Sequence, residues 1–241
     1  MRITAVSFEL DHGKPEVILQ DDFGEVSAQP LCERHYDGIF VADSFAKLRG
    51  PRPWYYYLAI ILFEVWKSTG MMCAAVVLAG ACFDQGSYFD MLKVIIANFQ
   101  KPRFMVWISM GNDLYPLSWR APGGTIEDKH LYEEVIRLLR FASKWVPEQR
   151  FVFGGSSSLW AYPETYSASL CIAYDAYCNM LTRQVQEWGP FPCITGSRLF
   201  EGVRTADRIG HVNAYSLDIV IEGFRVLTKW GMAGSTPRSR L

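Results

Sequence analysis

Short apolar runs at Ile39–Val41, Cys73–Leu78, Phe104–Ser109, Arg150–Phe153 and Cys193–Thr195 alternate with longer stretches of helical period. Ile39–Val41 has no polar face, the pattern of a strand covered on both sides, as in parallel sheets. The helical stretches are Trp54–Ser68, Tyr88–Phe99, His130–Trp145, 166–188 and Asn213–Lys229. Leu131, Val135, Leu138, Leu139, Ala142 and Trp145 recur on one face of the third. Trp54–Ser68 is apolar nearly all round, so it is expected to be largely buried. Gly50-Pro51-Arg52-Pro53 separates it from what precedes, and Gly70 ends it. Thr125-Ile126-Glu127-Asp128 is a capping-box-like opening for the third helix.

Five strands alternating with helices predict a three-layer α/β/α sandwich around a mostly parallel five-stranded sheet, flavodoxin-like in plan. Residues 1–30 alternate more weakly (Ile3, Val6, Phe8 and Leu10, then Val17 and Leu19) around a turn at Asp11-His12-Gly13-Lys14. This predicts a small N-terminal hairpin. The expected organisation is a hairpin extension over 1–35, an α/β domain over 36–230, and a basic tail over 231–241 that frays.

Composition narrows the function classes. Half of the 241 residues are apolar and 15% are aromatic, ample for a core. The formal net charge of −1 lacks the basic footprint of a nucleic-acid binder. The apolar stretches Tyr55–Phe63 and Met71–Phe83 are too short to span a bilayer, and Glu64, Lys67 and Ser68 divide them. With no secretory signal visible, a cytoplasmic protein is expected. The six cysteines form no Cys-x-x-Cys pair and no His/Cys cluster at metal spacing. Buried free thiols in a reducing compartment are expected. The sequence does not give the oligomeric state.

Polar residues of chemical interest gather where the predicted strands end: Asp43-Ser44, the glycine loop around Gly80, Gly111-Asn112-Asp113, and the last loop with Asp207 and His211. In a parallel sheet these ends share one rim, where open α/β folds hold their ligands. Each also has a plainer explanation. Ser44 could cap the turn after its strand, helped by Asp43. Asn112 and Asp113 suit a turn, and His211 could flank the last helix. His12, in a turn, and His130, in the first turn of its helix, read as surface positions, and His35, just before the first core strand, as structural or surface. Gly154–Ser158 could cradle a phosphate, but lacks the lysine and spacing of a P-loop.

In this order along the chain the strand ends resemble the SGNH, or GDSL-like, hydrolase superfamily. Val41-Ala42-Asp43-Ser44 resembles the block that ends in the nucleophilic serine. The loop around Gly80 resembles the block whose glycine N–H helps hold the oxyanion, with Phe83 or Gly86 as alternative registers. Met110-Gly111-Asn112-Asp113 is similar to Gly-x-Asn-Asp, whose asparagine supplies another donor, and His211-Val212-Asn213 to the block carrying the base. The sequence departs from the family pattern at Ala42 (usually glycine), at Gly111 directly before Asn112, at Val212 (usually proline), and in a four-residue step from Asp207 to His211.

The resemblance implies a serine hydrolase of the esterase, lipase or deacetylase type, working through an acyl-enzyme and needing no metal or organic cofactor. Ser44 would attack, with Asp207 and His211 completing the triad. The donors would be the Ser44 and Gly80 N–H groups and Asn112, with Asp43, Gly111 and Asp113 in support. The implied substrate is a small-molecule acyl or carbohydrate ester; Trp119 and Trp160 are candidates for an apolar acyl or sugar surface, with core or lid packing as the alternative. An inactive binding protein of the same fold, or an acyltransferase using the same residues, are the alternatives.

Overall fold

The computed structural model describes residues 2–8, 15–21, 26–27, 35–78, 81, 86–109, 129–153, 193–204, 206 and 211–233, with single helical positions between 169 and 187. Its strands are β1 (Arg2–Phe8), β2 (Pro15–Asp21), β3 (Val26–Ser27), β4 (Gly38–Ala42), β5 (Cys73–Leu78), β6 (Phe104–Ser109), β7 (Glu148–Phe153) and β8 (Cys193–Thr195). The helices are α1 (Trp54–Thr69), α2 (Ser87–Asn98), α3 (Lys129–Trp145), α4 (Gly196–Leu199) and α5 (Leu217–Ala233). All five strands expected from the apolar runs are present.

The sheet is wider than the five strands expected. Among the described residues it has eight, in the order β3-β2-β1-β5-β4-β6-β7-β8. The N-terminal hairpin β1–β2 and the short strand β3, which pairs antiparallel with β2, account for the difference. β1 pairs antiparallel with β2, and its other edge pairs parallel with β5, so the hairpin continues the sheet. Strands β5, β4, β6, β7 and β8 are mutually parallel, and their order is the 2-1-3-4-5 of flavodoxin-like sheets.

Alternation within the strands separates two cores. On one face Ile39, Val41, Ala74, Val76, Met105 and Trp107 meet Leu92 and Ile95 of α2 and Val135, Leu138 and Leu139 of α3. On the other, Phe40, Ala75, Val77, Phe104, Val106 and Ile108 meet Leu58, Ile61 and Leu62 of α1 and Val220, Phe224 and Leu227 of α5. This is the three-layer sandwich the alternation predicts.

Phe104 is wholly buried, and a side chain at Gly38 or Gly231 would collide with its ring. Gly231 therefore belongs to the core, and α5 continues to Ala233, past the expected end at Lys229. Between 169 and 187 the described positions Ser169, Ile172, Ala176, Asn179, Thr182, Arg183, Gln186 and Glu187 are helical, within the stretch where a helix is expected. Among the described residues no helix is long and apolar enough to cross a membrane.

Cys73 is a buried free thiol, as the cysteine pattern predicts. Burial, and secondarily the charge of Asp37, push its pKa from 9.0 up to about 12. In the native protein it should resist iodoacetamide at pH 8 and react once the chain is unfolded, which peptide mass spectrometry would read. Native-state labelling of Cys73 would contradict that burial. Because the folded-state pKa is the higher, this thiol favours the folded state below about pH 9. That contribution falls as pH rises from 9.0 toward about 12.

Candidate active site

The register of the parallel strands brings their carboxyl ends to one rim. Ala42 lies opposite Val77 of β5 and Ile108 of β6, Ser109 opposite Phe153, and Phe153 opposite Thr195. β4 and β6 are where the strand order reverses, since the chain passes from β4 outward to β5 and then back across to β6. Ligands of such sheets bind in the crevice that this reversal opens. Asp43 and Ser44 follow β4 there directly.

Local chemistry explains the turn. Asp43 is buried, and its Oδ1 accepts the Phe45 N–H at 2.8 Å, capping a 3₁₀ turn over Ser44–Ala46. Its own N–H reaches the Ile108 carbonyl at 3.4 Å, tying the turn to β6. The same carbonyl accepts the hydroxyl of buried Tyr88 at 3.1 Å. The capping role proposed for Ser44 thus belongs to Asp43. Ser44 is half-buried, and its hydroxyl makes no hydrogen bond among the described residues. Replacing Asp43 with alanine should cost about 1 kcal/mol, the typical value of an N-cap, read from urea unfolding. A neutral effect would mean the cap contributes nothing.

His211 arrives from the far end of the chain and is half-buried. Its segment is held by backbone bonds on two sides. Arg49 and Asn213 form a parallel bridge, in which the Arg49 N–H donates to Val212 O at 2.7 Å and the Ala214 N–H to Arg49 O at 2.8 Å. On the other side the Asn213 N–H donates to Arg204 O at 2.8 Å, and the Ala206 N–H to His211 O at 2.7 Å. Val212, Phe45, Ala46 and Leu48 are buried in one apolar cluster. The loop that begins at Ser44 and the segment that begins at His211 are thereby packed together, although 167 positions separate the two residues in the sequence.

Gly86, one alternative for the oxyanion glycine, starts α2 with φ 72°, a left-handed conformation that accounts for glycine there. Gly80, Phe83, Gly111, Asn112, Asp113, Asp207, Trp119 and Trp160 lie outside the described residues, as does Gly154–Ser158. Among the described residues no group of three or more His, Cys, Asp or Glu side chains could hold a metal ion. The Arg49–Asn213 bridge had no sequence signal, because neither residue type encodes a long-range backbone pairing.

Comparison with solved structures agrees with this architecture. A family 3 carbohydrate esterase of Clostridium thermocellum superposes with TM-score 0.58 at 12% identity, over 84% of this chain and all of the other. A lipolytic protein of the G-D-S-L family from Desulfitobacterium hafniense gives 0.56 at 9% identity, over 79% and 99%. The chain has the SGNH-hydrolase fold. An acetyl xylan esterase of Geobacillus stearothermophilus, with TM-score 0.51 at 13% identity over 78% and 92%, extends the same likeness. No protein-family model matches the SGNH-fold chain, and no curated protein matches it significantly.

Proposed function

We propose that the protein is a serine hydrolase acting on an acyl or carbohydrate ester through an acyl-enzyme. The observation that supports this most strongly is a serine at the sheet's reversal point, on a loop packed against the segment that carries His211. The fold it shares with carbohydrate esterases is consistent with that reading.

In this reading Ser44 Oγ attacks the ester carbonyl while His211 removes its proton, since a serine hydroxyl is a weak nucleophile without a base. Asp207 orients the imidazole and stabilises its protonated form. The negative charge of the tetrahedral intermediate falls to the Ser44 N–H, the Gly80 N–H and the Asn112 amide. One such donor typically contributes about 10²–10³ in rate. Collapse expels the alcohol, which takes the proton from His211. Water then attacks the acyl-enzyme, with His211 again as base, and releases the acid.

The role of Asp43 is to hold the turn, and Gly111 and Asp113 would support Asn112. The Ser44 hydroxyl, which has no hydrogen bond among the described residues, turns toward His211 as substrate enters; catalytic hydrogen bonds often tighten only in the complex. No metal or cofactor takes part in these steps. The test is hydrolysis of 4-nitrophenyl acetate and an acetylated xylo-oligosaccharide by the wild type and by Ser44→Ala. Turnover of either ester that vanishes in the variant supports the reading. Wild-type turnover no faster than that of Ser44→Ala overturns it.

A further inference from the structure

The SGNH-type site proposed above is bordered by cations. The segments 43–57 and 203–216 carry Lys47, Arg49, Arg52 and Arg204, and their only described carboxylate is Asp43, buried and engaged as a cap. Elsewhere ion pairs are common, although Lys101, Lys144, Arg183 and Lys229 form none among the described residues. Lys67, Lys93, Arg103, Arg137, Arg150 and Arg225 each lie within ion-pair distance of a carboxylate. Among the described residues Arg49, Arg52 and Arg204 form no ion pair, although exposed Glu201 and Asp218 lie just beyond. Among the described residues, three guanidinium groups without an ion pair thus lie on the two segments that meet at the Arg49–Asn213 bridge.

Two of the three are fixed relative to His211. Arg49 and Arg204 are both exposed, and their backbones bond to opposite sides of the 212–213 segment, at 2.7 and 2.8 Å. Arg204 is held a second time, its N–H donating at 2.7 Å to the Oγ of buried Ser216. Arg52 stands over the Tyr56 ring at 5.8 Å, and Lys47 over the Trp54 ring at 4.9 Å. Two guanidinium-bearing positions anchored on either side of the histidine segment suit an anion better than a neutral group. Arginine pairs with carboxylate through two parallel bonds, and like cations brought together favour the anion that separates them.

We infer that the site selects esters bearing an anionic group, a carboxylate in the first instance, held by Arg49 and Arg204. This rests on the hydrolase reading and adds the substrate class to it. The anion could belong to the acyl half or the alcohol half, so the test uses both. Mono-4-nitrophenyl succinate is compared with 4-nitrophenyl acetate, and 3-acetoxybenzoate with phenyl acetate.

At low ionic strength kcat/KM for one anionic ester should exceed that for its neutral counterpart by about tenfold. The advantage should shrink in 0.5 M salt, as screening requires. In the double variant Arg49→Gln, Arg204→Gln it should disappear while turnover of the neutral esters stays unchanged. A wild type without an anionic preference, or a double variant that keeps it, overturns the inference. If none of the four esters is hydrolysed, the hydrolase reading fails separately. Calorimetry with succinate and 3-hydroxybenzoate then decides: binding to the wild type but not the double variant supports the anion site, and no binding to the wild type overturns it.

Discussion

His211→Ala should lower kcat/KM on any ester the protein turns over by at least about 10³, and Ser44→Ala should lower it at least as far. The more informative variant is the double one. A nucleophile and its base act as a unit, so removing both should cost no more than removing either. Both side chains are half-buried and sit on rim segments whose backbone bonds survive the substitutions. The variants should therefore keep wild-type circular dichroism and melting. A His211→Ala enzyme that retains more than about a tenth of the activity would remove the imidazole from the mechanism. Losses that multiplied in the double variant would mean that the two residues act independently.

Trp107→Ala should produce the largest loss of stability. The indole is wholly buried in the α2–α3 core, where Tyr88 meets it edge-on at 6.3 Å between centroids. Its Nε1–H donates to Gln149 Oε1 at 2.6 Å, and Gln149 Nε2 in turn donates to Val146 O at 2.6 Å. Truncation creates a large cavity, worth about 3–5 kcal/mol in comparable cases. It also leaves a buried amide oxygen without its donor, a further cost of about 1–3 kcal/mol. A fall of at least about 4 kcal/mol in urea unfolding is expected, or roughly 8–16 °C in melting temperature for a chain of this size. Trp107→Phe, which keeps most of the volume and loses the N–H, should cost about 1–3 kcal/mol. A loss below about 1 kcal/mol for the alanine variant would contradict the packing described.

The parallel strands were legible because residues such as Ile39, Val76 and Val106 are buried in a sheet with helices on both faces, and only apolar β-formers satisfy that. The amphipathic pattern of Val135, Leu138 and Leu139 gave α3 for the same reason. Pairing was less legible. Alternation at Val6 and Phe8 showed a strand, but not that its free edge would find β5 and widen the sheet to eight strands, since edge pairing is made by backbone groups every residue has. At the rim, the position of Ser44 followed from the apolar run before it. Which of two adjacent residues would cap the turn did not, because aspartate and serine cap about equally well. The proximity of the His211 segment to the Ser44 loop depends on Arg49 bridging Asn213, a contact written in backbone geometry rather than residue type.

The central claim is that Ser44 is an activated nucleophile, and reaction with a fluorophosphonate tests it most directly. Incubation of the folded protein, followed by digestion and peptide mass spectrometry, should place one adduct on Ser44. Ser44→Ala should then remain unmodified and His211→Ala should react far more slowly. A folded wild-type protein that takes up no label, or takes it up at another residue, would contradict the account.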